Sequence, residues 1–123
     1  RRVSLDGLLG SVLDAEAPTV IKLDVEGVEI EAIEGAKTLL SGDSLVICED
    51  HGSDRAHGVS YHLMNEAALR LYIFDPADCH FVRVEGPAVL DRVKRYRWVG
   101  YNVFATRSSV WEDRLQSAQW ICR

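Results

Sequence analysis

The stretch Ile21–Ala36, with the sequence IKLDVEGVEIEAIEGA, combines two different patterns in one short segment. An apolar run as far as Val25 is interrupted by the carboxylates of Asp24 and Glu26, and a lone Gly27 follows. Apolar side chains at three- and four-residue spacing come next and predict a helix. A strand that passes directly into a helix is typical of α/β proteins, whose ligands gather beyond the carboxyl ends of the strands.

Further strands and helices alternate on both sides of this stretch. The predicted strands are Thr19–Val25, Ser44–Glu49, Leu71–Phe74, Cys79–Val84 and Asn102–Thr106. Helices are predicted after Ser4 and after Ser60, and a longer one over Val28–Leu40, in which Gly35 packs on the sheet and Gly42 ends the helix. A C-terminal helix is predicted after Ser108 or Ser109, with Val110, Leu115 and Ile121 as its apolar residues. The segment Pro87–Arg97 is compatible with a helix or a loop. The first two strands are apolar almost throughout, which predicts parallel pairing, and the closely spaced later strands predict an antiparallel hairpin at one edge.

Length and charge narrow the class of protein. The 123 residues suit one domain, and the net charge of −5 gives no general attraction to nucleic acid. One basic cluster covers Arg92 to Arg97 and is followed by Trp98. A charge run of this kind is usually a solvated face, and a phosphate or nucleic-acid role there is the minor alternative.

The cysteine pattern and the hydropathy of the sequence indicate in which cellular compartment the protein is expected. Cys48, Cys79 and Cys122 are scattered, odd in number and without metal-binding spacing, which predicts a reducing environment and a cytoplasmic location. No apolar run approaches the roughly 20 residues that a membrane-spanning helix needs, so no membrane span is expected.

Acidic side chains and one histidine are predicted to converge beyond the first two strands. Asp24 and Glu26 follow the first strand, and Glu49, Asp50 and His51 close the second. If these strands are neighbours, their carboxyl ends meet at one crevice. Carboxylates there could hold a divalent cation, act as a general base towards a hydroxyl or amine, or orient a cationic or hydroxyl-bearing ligand.

The same residues also have a purely structural interpretation. Asp24 could cap the turn, and Glu26 could favour the N-terminus of the helix. Gly27 is interpreted as leaving room for a close approach between the backbone and a ligand. The sequence contains no pattern of a Ser/His/Asp catalytic triad, no phosphate-binding loop and no dinucleotide-binding glycine motif.

The run IKLDVEGVEIEAIEGAKTLL, followed by LVICEDH, resembles the FkbM-type methyltransferase family. That family carries a strand of the form I-K-x-D-V-E-G, a helix with E-x-x-x-[IVL]-x-G-A that ends in Leu-Leu, and a second strand ending in Glu, with His often nearby. The opening VSLDGLL and the late NVFA are similar to the segments that flank this motif in the family. The resemblance covers Val3 to about Thr106.

This resemblance implies a class I, S-adenosylmethionine-dependent methyltransferase with a seven-stranded, Rossmann-like sheet. Thr19–Val25 and Ser44–Glu49 then correspond to the fourth and fifth strands, and the final hairpin to the sixth and seventh. The first three strands, with the glycine-rich loop and the acidic residue that would bind the cofactor, have no counterpart. Residues 1–107 are therefore expected to form the carboxyl-terminal half of a methyltransferase domain, and residues 108–123 a C-terminal helix or tail.

The resemblance also implies roles for the acidic cluster. Asp24, Glu26 and His51 are the expected catalytic residues, with Asp24 facing the methyl group of the cofactor and His51 the candidate base. Glu49 and Asp50 are expected to bind the substrate, a small-molecule, sugar or lipid-linked hydroxyl compound. A divalent metal would be held by Asp24, Glu49 and Asp50, which is compatible with the sequence but not favoured.

Two loops are expected to supply the contacts with the methyl acceptor. They are Ser53–Gly58 and Glu85–Trp98. Around the second loop, Tyr96, Trp98 and Tyr101 could line an acceptor pocket, although core packing or cover for the sheet edge is the more frequent use of such side chains.

Two other functions are carried as alternatives. The first is a non-catalytic fragment or interaction module, because Thr19–Val25 would leave an open backbone edge that associates with a missing N-terminal half or with itself. The second is a metal-dependent phosphoryl-transfer or hydrolytic domain. The lack of a nucleophile motif and of a phosphate loop argues against the second.

Overall fold

The computed structural model describes residues 2–14 and 16–118, which form six short α-helices, one π-helical turn and five strands. The helices are α1 (Leu5–Leu9), α2 (Glu29–Glu34), α3 (Lys37–Ser41), α4 (Gly58–Tyr61), α5 (Pro87–Val93) and α6 (Ser109–Ser117), and the π-helical turn is His62–Glu66. The strands are β1 (Thr19–Leu23), β2 (Ser44–His51), β3 (Arg70–Asp75), β4 (His80–Arg83) and β5 (Gly100–Thr106).

All five strands join one mixed sheet in the order β1-β2-β5-β3-β4. β1 and β2 are parallel, whereas β5 runs antiparallel to both of its neighbours and β4 antiparallel to β3. The predicted α/β class, the β1–β2 pair and a hairpin at one edge are therefore confirmed. β5 lies inside the sheet, between β2 and β3, and runs antiparallel to both. β1, β2 and β3 therefore run in the same direction, and their carboxyl ends lie on the same side of the sheet.

Every strand differs from its predicted range by one or two residues at one end or both, and the ends of β1 and β2 matter most for the site. β1 ends at Leu23, and the side chain of Val25 is exposed beyond it. β2 continues through His51, because β5 supplies a partner for every residue as far as the pair of His51 and Gly100. Glu49, Asp50 and His51 are therefore held within a strand instead of following one.

The prediction of a single helix over Val28–Leu40 is wrong, because the helix is interrupted between α2 and α3. Gly35 ends α2, and its carbonyl oxygen accepts a hydrogen bond of 2.9 Å from the Asp6 amide. A Cβ at Gly35 would lie 3.3 Å from the Cβ of Ser4. The close approach that requires a glycine is thus to the start of α1, and the predicted packing of Gly35 on the sheet is also wrong.

Asp6 fixes the start of α3. Its carboxylate accepts hydrogen bonds from the amides of Thr38 (2.8 Å) and Leu39 (3.0 Å). Burial alone would raise the pKa of Asp6, but these hydrogen bonds outweigh it and the pKa is lowered. Ser4 caps α1 as predicted, since its hydroxyl oxygen accepts a hydrogen bond of 3.0 Å from the Gly7 amide.

The middle of the chain also differs from the prediction. Ser60 was expected to cap a helix but lies inside α4, buried, and the next residues form the π-helical turn. His57 precedes α4 with a left-handed φ of 54°. The ambiguous segment Pro87–Arg97 contains α5, with Pro87 in its first turn, where its fixed φ suits a helix.

The hydrophobic core is divided between the two faces of the sheet, and the apolar cluster on one face is larger than that on the other. Helices α2, α3 and α5 cover one face, where the larger apolar cluster includes Ile21, Ile33, Leu40, Val46, Cys48, Leu71, Leu90 and Val103. On the other face, Leu115 of α6 packs with Leu45, Tyr72 and Phe81. The predicted C-terminal helix is confirmed. Its Val110 is exposed, and Ile121 lies outside the described residues.

The described cysteines differ in state. Cys48 is a free, fully buried thiol, and burial raises its pKa to about 12, with further contributions from Asp50 and Glu29. Cys79 is disulfide-bonded, so the prediction of reduced cysteines is wrong for this residue. Within residues 2–14 and 16–118, no helix has the length and apolar content needed to cross a membrane.

Candidate functional site

A cleft of about 480 Å³ opens where β1 and β2 end, and all five predicted site residues line it. Its wall consists of Asp24, Glu26, Gly27, Glu29, Glu49, Asp50, His51, Asp54 and Val59. The five predicted residues therefore come together at one cleft, although the carboxylate of Asp50 is turned into the interior. Sequence reasoning missed Glu29, which lies in the first turn of α2, and it placed the loop that contains Asp54 near the acceptor without singling out Asp54.

A larger cavity, about 580 Å³, lies elsewhere, between α2, α3 and the π-helical turn. Its floor is formed by the buried side chains of Ile33 and Leu40, and its rim carries acidic and basic side chains together. The cleft at the strand ends is smaller, but its charged groups are acidic except for one histidine. We therefore take the cleft as the candidate site.

Asp24 and Glu49 follow the last residue pair shared by the two parallel strands. Leu23 pairs with Cys48, so the next residue after β1 is Asp24 and the next residue in β2 is Glu49, and both line the cleft. Asp24 also forms an ion pair of 3.2 Å with Lys22, but both side chains are more than half exposed, so the pair contributes about 0–1 kcal/mol. The Asp24 carboxylate thus remains accessible to a ligand.

The Glu26–Gly27 turn has an unusual backbone conformation. The φ angles are 39° at Glu26 and 91° at Gly27, in a region that glycine adopts without strain. The Gly27 amide donates a hydrogen bond of 3.0 Å to the Glu29 carboxylate. No protein atom lies within 4 Å of a Cβ built on Gly27, so its backbone conformation explains the glycine within the fold, and room there for the approach of a ligand stays a prediction.

Asp50 faces the interior although it borders the cleft. One carboxylate oxygen accepts a hydrogen bond of 2.6 Å from the Nζ of Lys94, and the other accepts one from the hydroxyl of Ser60. Asp50 and Lys94 are both buried almost completely. The predicted substrate-binding and metal-binding roles therefore do not suit Asp50, because protein groups already occupy both oxygens.

Lys94 is the centre of a buried polar network. Besides Asp50, its ammonium contacts the carbonyl oxygen of Asp54 at 3.0 Å and the Nδ1 of His57 at 2.9 Å, which accounts for all three donors of the group. With Nδ1 as an acceptor, the proton of neutral His57 lies on Nε2 and is donated to Asp91 at 3.0 Å. Within the basic cluster, the prediction of a solvated face is wrong for Lys94.

The two segments predicted to contact the acceptor, Ser53–Gly58 and Glu85–Trp98, are bound to each other. In the structure, loop 52–57 follows β2, and the second segment consists mainly of α5 and most of loop 94–99, which precedes β5. The Arg55 guanidinium donates to the carbonyl oxygen of Lys94 (2.8 Å) and to the carboxylate of Asp91 (2.6 Å). The Gly52 amide donates to the carbonyl oxygen of Val99 at 2.8 Å. The two loops therefore form one unit beside the cleft.

His51 lines the cleft, and the hydrogen bonds of one ring nitrogen indicate where its proton lies. Its Nδ1 accepts a hydrogen bond of 3.1 Å from the Ser53 amide and lies 2.6 Å from the Ser53 hydroxyl. A backbone amide can only donate, so Nδ1 carries a lone pair and neutral His51 carries its proton on Nε2. This geometry favours a role in orienting a ligand and disfavours the predicted role as a base at Nε2.

The Asp54 carboxylate, in loop 52–57, makes the stability of the fold depend on pH. The hydrogen bond that Asp54 accepts from the Gly58 amide has the largest effect on its pKa and lowers it. Burial acts in the opposite direction, but a second hydrogen bond from the Ala56 amide and the nearby charge of Lys94 also lower the pKa of Asp54. Its folded-state pKa is thus below its unfolded value. The carboxylate therefore stabilises the fold above the ordinary value of 3.8, and this contribution is lost as the pH falls through the lowered pKa.

We expect the free energy of unfolding to fall between neutral pH and about pH 3, and to fall less in an Asp54→Asn variant. Urea unfolding at each pH measures this. Asp113→Asn, at an exposed position on α6, is the matched control and should follow the wild type. An equal loss of stability in the Asp54→Asn variant and the wild type would contradict the role of Asp54.

Within residues 2–14 and 16–118, no group of three or more His, Cys, Asp and Glu side chains is arranged to hold a metal ion. The cleft instead concentrates negative charge, which attracts cations and repels phosphate groups. Its carboxylates can accept a proton or a hydrogen bond from a bound hydroxyl group. No family model, no curated protein and no solved structure matches the chain.

Proposed function

We propose that this chain forms the carboxyl-terminal half of an S-adenosylmethionine-dependent methyltransferase domain, with the acidic cleft on the acceptor side of its active site. The observation that carries the proposal is that Asp24, the residue after β1, and Glu49, in the last part of the neighbouring parallel strand β2, line one cleft. These residues belong to the segments IKLDVEG and LVICEDH, which resemble the FkbM-type family. A mixed α/β sheet that begins with a parallel pair is compatible with part of a Rossmann-like sheet.

The charge of the cleft supports methyl transfer over phosphoryl transfer. S-adenosylmethionine carries a positive sulfonium centre, and exposed carboxylates such as Asp24 and Glu26 favour a cation nearby. A phosphate group would be repelled by the same side chains. The residues present suit the methyl and acceptor side of such a site, and the cofactor, when bound, supplies the methyl group.

The mechanism that we propose assigns two tasks to this chain. In-line displacement at a methyl carbon depends on the position of the attacking hydroxyl oxygen and on removal of its proton. Asp24 or Glu49 accepts that proton, because both carboxylates line the cleft. The Nε2–H group of His51 donates a hydrogen bond to the acceptor and orients it. The acceptor is a small-molecule, sugar or lipid-linked hydroxyl compound.

The proposal is tested in a parent chain that carries this sequence together with the residues encoded upstream of Arg1. Transfer of a tritiated methyl group to extracted hydroxyl compounds is measured for the wild type, Asp24→Asn and Glu49→Gln. Loss of the general base should lower kcat by about 100-fold or more in at least one variant. Asp113→Asn on α6 is the control. Unchanged turnover in both cleft variants, with the cofactor bound, would refute these roles.

The free edge of β1 supports an interaction module as the second candidate. β1 is the first strand of the sheet, and the side chain of Val20 is 52% exposed on it, with Val25 and Val28 exposed nearby. An open apolar edge promotes association with another strand, although the charge of Lys22 in β1 opposes it. Self-association of the isolated chain in light scattering, together with an inactive parent, would favour this candidate over the enzyme.

A further inference from the structure

Four consecutive exposed residues, Arg95, Tyr96, Arg97 and Trp98, form the end of loop 94–99, and we call them the aromatic tip. The side chain of Trp98 is 78% exposed and that of Tyr96 is 54% exposed. Their ring centroids are 5.3 Å apart, so the two rings form one apolar patch in solvent. Core packing, the usual role of such side chains, does not explain them.

The aromatic tip has a fixed base. Lys94, the residue before it, is fully buried and bonded to three acceptors. The Tyr96 amide donates a hydrogen bond of 2.9 Å to the hydroxyl of Tyr101, and the carbonyl oxygen of Val99 accepts one from Gly52. The tip is therefore held outward by the fold, at the same edge of the sheet as the acidic cleft, because Gly100 pairs with His51.

The tip also carries local positive charge on an acidic protein. Within residues 2–14 and 16–118, neither Arg95 nor Arg97 forms an ion pair with a carboxylate, whereas Arg92 pairs with Asp75. Arg95 donates a hydrogen bond of 3.3 Å to the carbonyl oxygen of Arg92, and its positive charge contributes to the lowered pKa of Asp75. The two arginines still place two positive charges on the tip of a chain whose net charge is −5. The charge of the tip is thus complementary to an anionic surface, unlike that of the neighbouring cleft.

We propose that the aromatic tip docks the protein on an anionic lipid bilayer. Tryptophan and tyrosine are favoured at the level of the headgroups, where the ring is partly dehydrated and its polar atom stays in water. Arginines near an anionic leaflet add attraction, about five-fold in affinity for each charge. A small tip inserts without a matching groove, and the acidic body of the protein remains in solvent.

Single-stranded nucleic acid is the competing partner, since its bases also stack on aromatic rings. Such binding needs a positively charged groove along which the phosphate backbone runs. Here the cleft beside the tip is lined by Asp24, Glu26 and Glu49, which would repel that backbone. The bilayer therefore fits the tip better. This inference deepens the proposed function and rests on it in one respect, because docking through the tip would hold the solvent-facing cleft close to the membrane, where the hydroxyl group of a lipid-linked acceptor can reach it.

The test is co-sedimentation of this chain with vesicles of phosphatidylcholine alone or with about one third phosphatidylserine. The wild type should bind the anionic vesicles at least about ten-fold more tightly than the neutral ones. Tyr96→Ser with Trp98→Ser should lose about ten-fold or more on anionic vesicles. Arg95→Gln with Arg97→Gln should lose the preference for anionic lipid. Val110→Ser with Arg114→Gln, which removes an apolar and a cationic group from α6, should bind as the wild type does.

Three outcomes would overturn the inference. They are the absence of wild-type binding to anionic vesicles, unchanged binding of both tip variants, and tighter binding to a single-stranded oligonucleotide than to vesicles. Circular dichroism checks that the exposed substitutions leave the fold intact. The assay needs neither cofactor nor turnover, so failure of docking and failure of methyl transfer are distinguished.

Discussion

Replacement of Lys94 by methionine is expected to lower the free energy of unfolding by about 3–5 kcal/mol, because it leaves Asp50 as an uncompensated buried charge. The ammonium of Lys94 lies 2.6 Å from the Asp50 carboxylate, and both side chains are excluded from solvent. The same ammonium donates to the Asp54 carbonyl oxygen and to His57, which would lose their donor. Methionine keeps most of the volume of lysine, so the effect reports the lost charge and hydrogen bonds.

Urea unfolding of Lys94→Met measures the effect, with Lys22→Met as the matched control. Lys22 also pairs with an aspartate, Asp24, but this pair is exposed, and we expect a change of about 1 kcal/mol or less. Adding Asp50→Asn to Lys94→Met removes the stranded charge and should restore part of the lost stability. Equal, small effects at Lys94 and Lys22 would contradict the buried network.

Replacement of Gly52 by alanine is the second large expected effect, a loss of about 3 kcal/mol. A Cβ at Gly52 would overlap the carbonyl oxygen of Tyr96 and lie 3.0 Å from that of Val99. Both are backbone atoms, and Val99 accepts the hydrogen bond that joins loops 52–57 and 94–99. Relief of the overlap therefore requires the two loops to separate.

Gly100→Ala is the informative comparison. A Cβ at Gly100 would overlap only the carboxylate of Glu49, at the end of a side chain that can rotate away. We expect a loss of about 1 kcal/mol or less for Gly100→Ala, measured beside Gly52→Ala by thermal and urea unfolding. If the two variants lose the same stability, the contact between the loops is looser than the structure indicates. Because Glu49 must turn, Gly100→Ala should still alter the cleft.

The parallel β1–β2 pair and the acidic cleft were predictable because their signals are local. Apolar runs gave β1 and β2, and parallel neighbours necessarily end at one edge, so Asp24 and Glu49 were expected to meet there. The break between α2 and α3 was not predictable, since its cause is Asp6, more than thirty residues away. The burial of Lys94 was hidden for the same reason, because its neighbours in sequence are basic and its partner Asp50 is distant.

The central position of β5 has a consequence for synthesis of the protein on the ribosome. Before Gly100–Thr106 leaves the exit tunnel, the β1–β2 pair and the β3–β4 hairpin have no shared strand and cannot form one sheet. Until β5 has been synthesised, the apolar surfaces of the earlier segments therefore stay exposed to solvent. Nascent chains in this state are prone to aggregate or to bind chaperones. The last strand to be made is the one that joins the two parts of the fold.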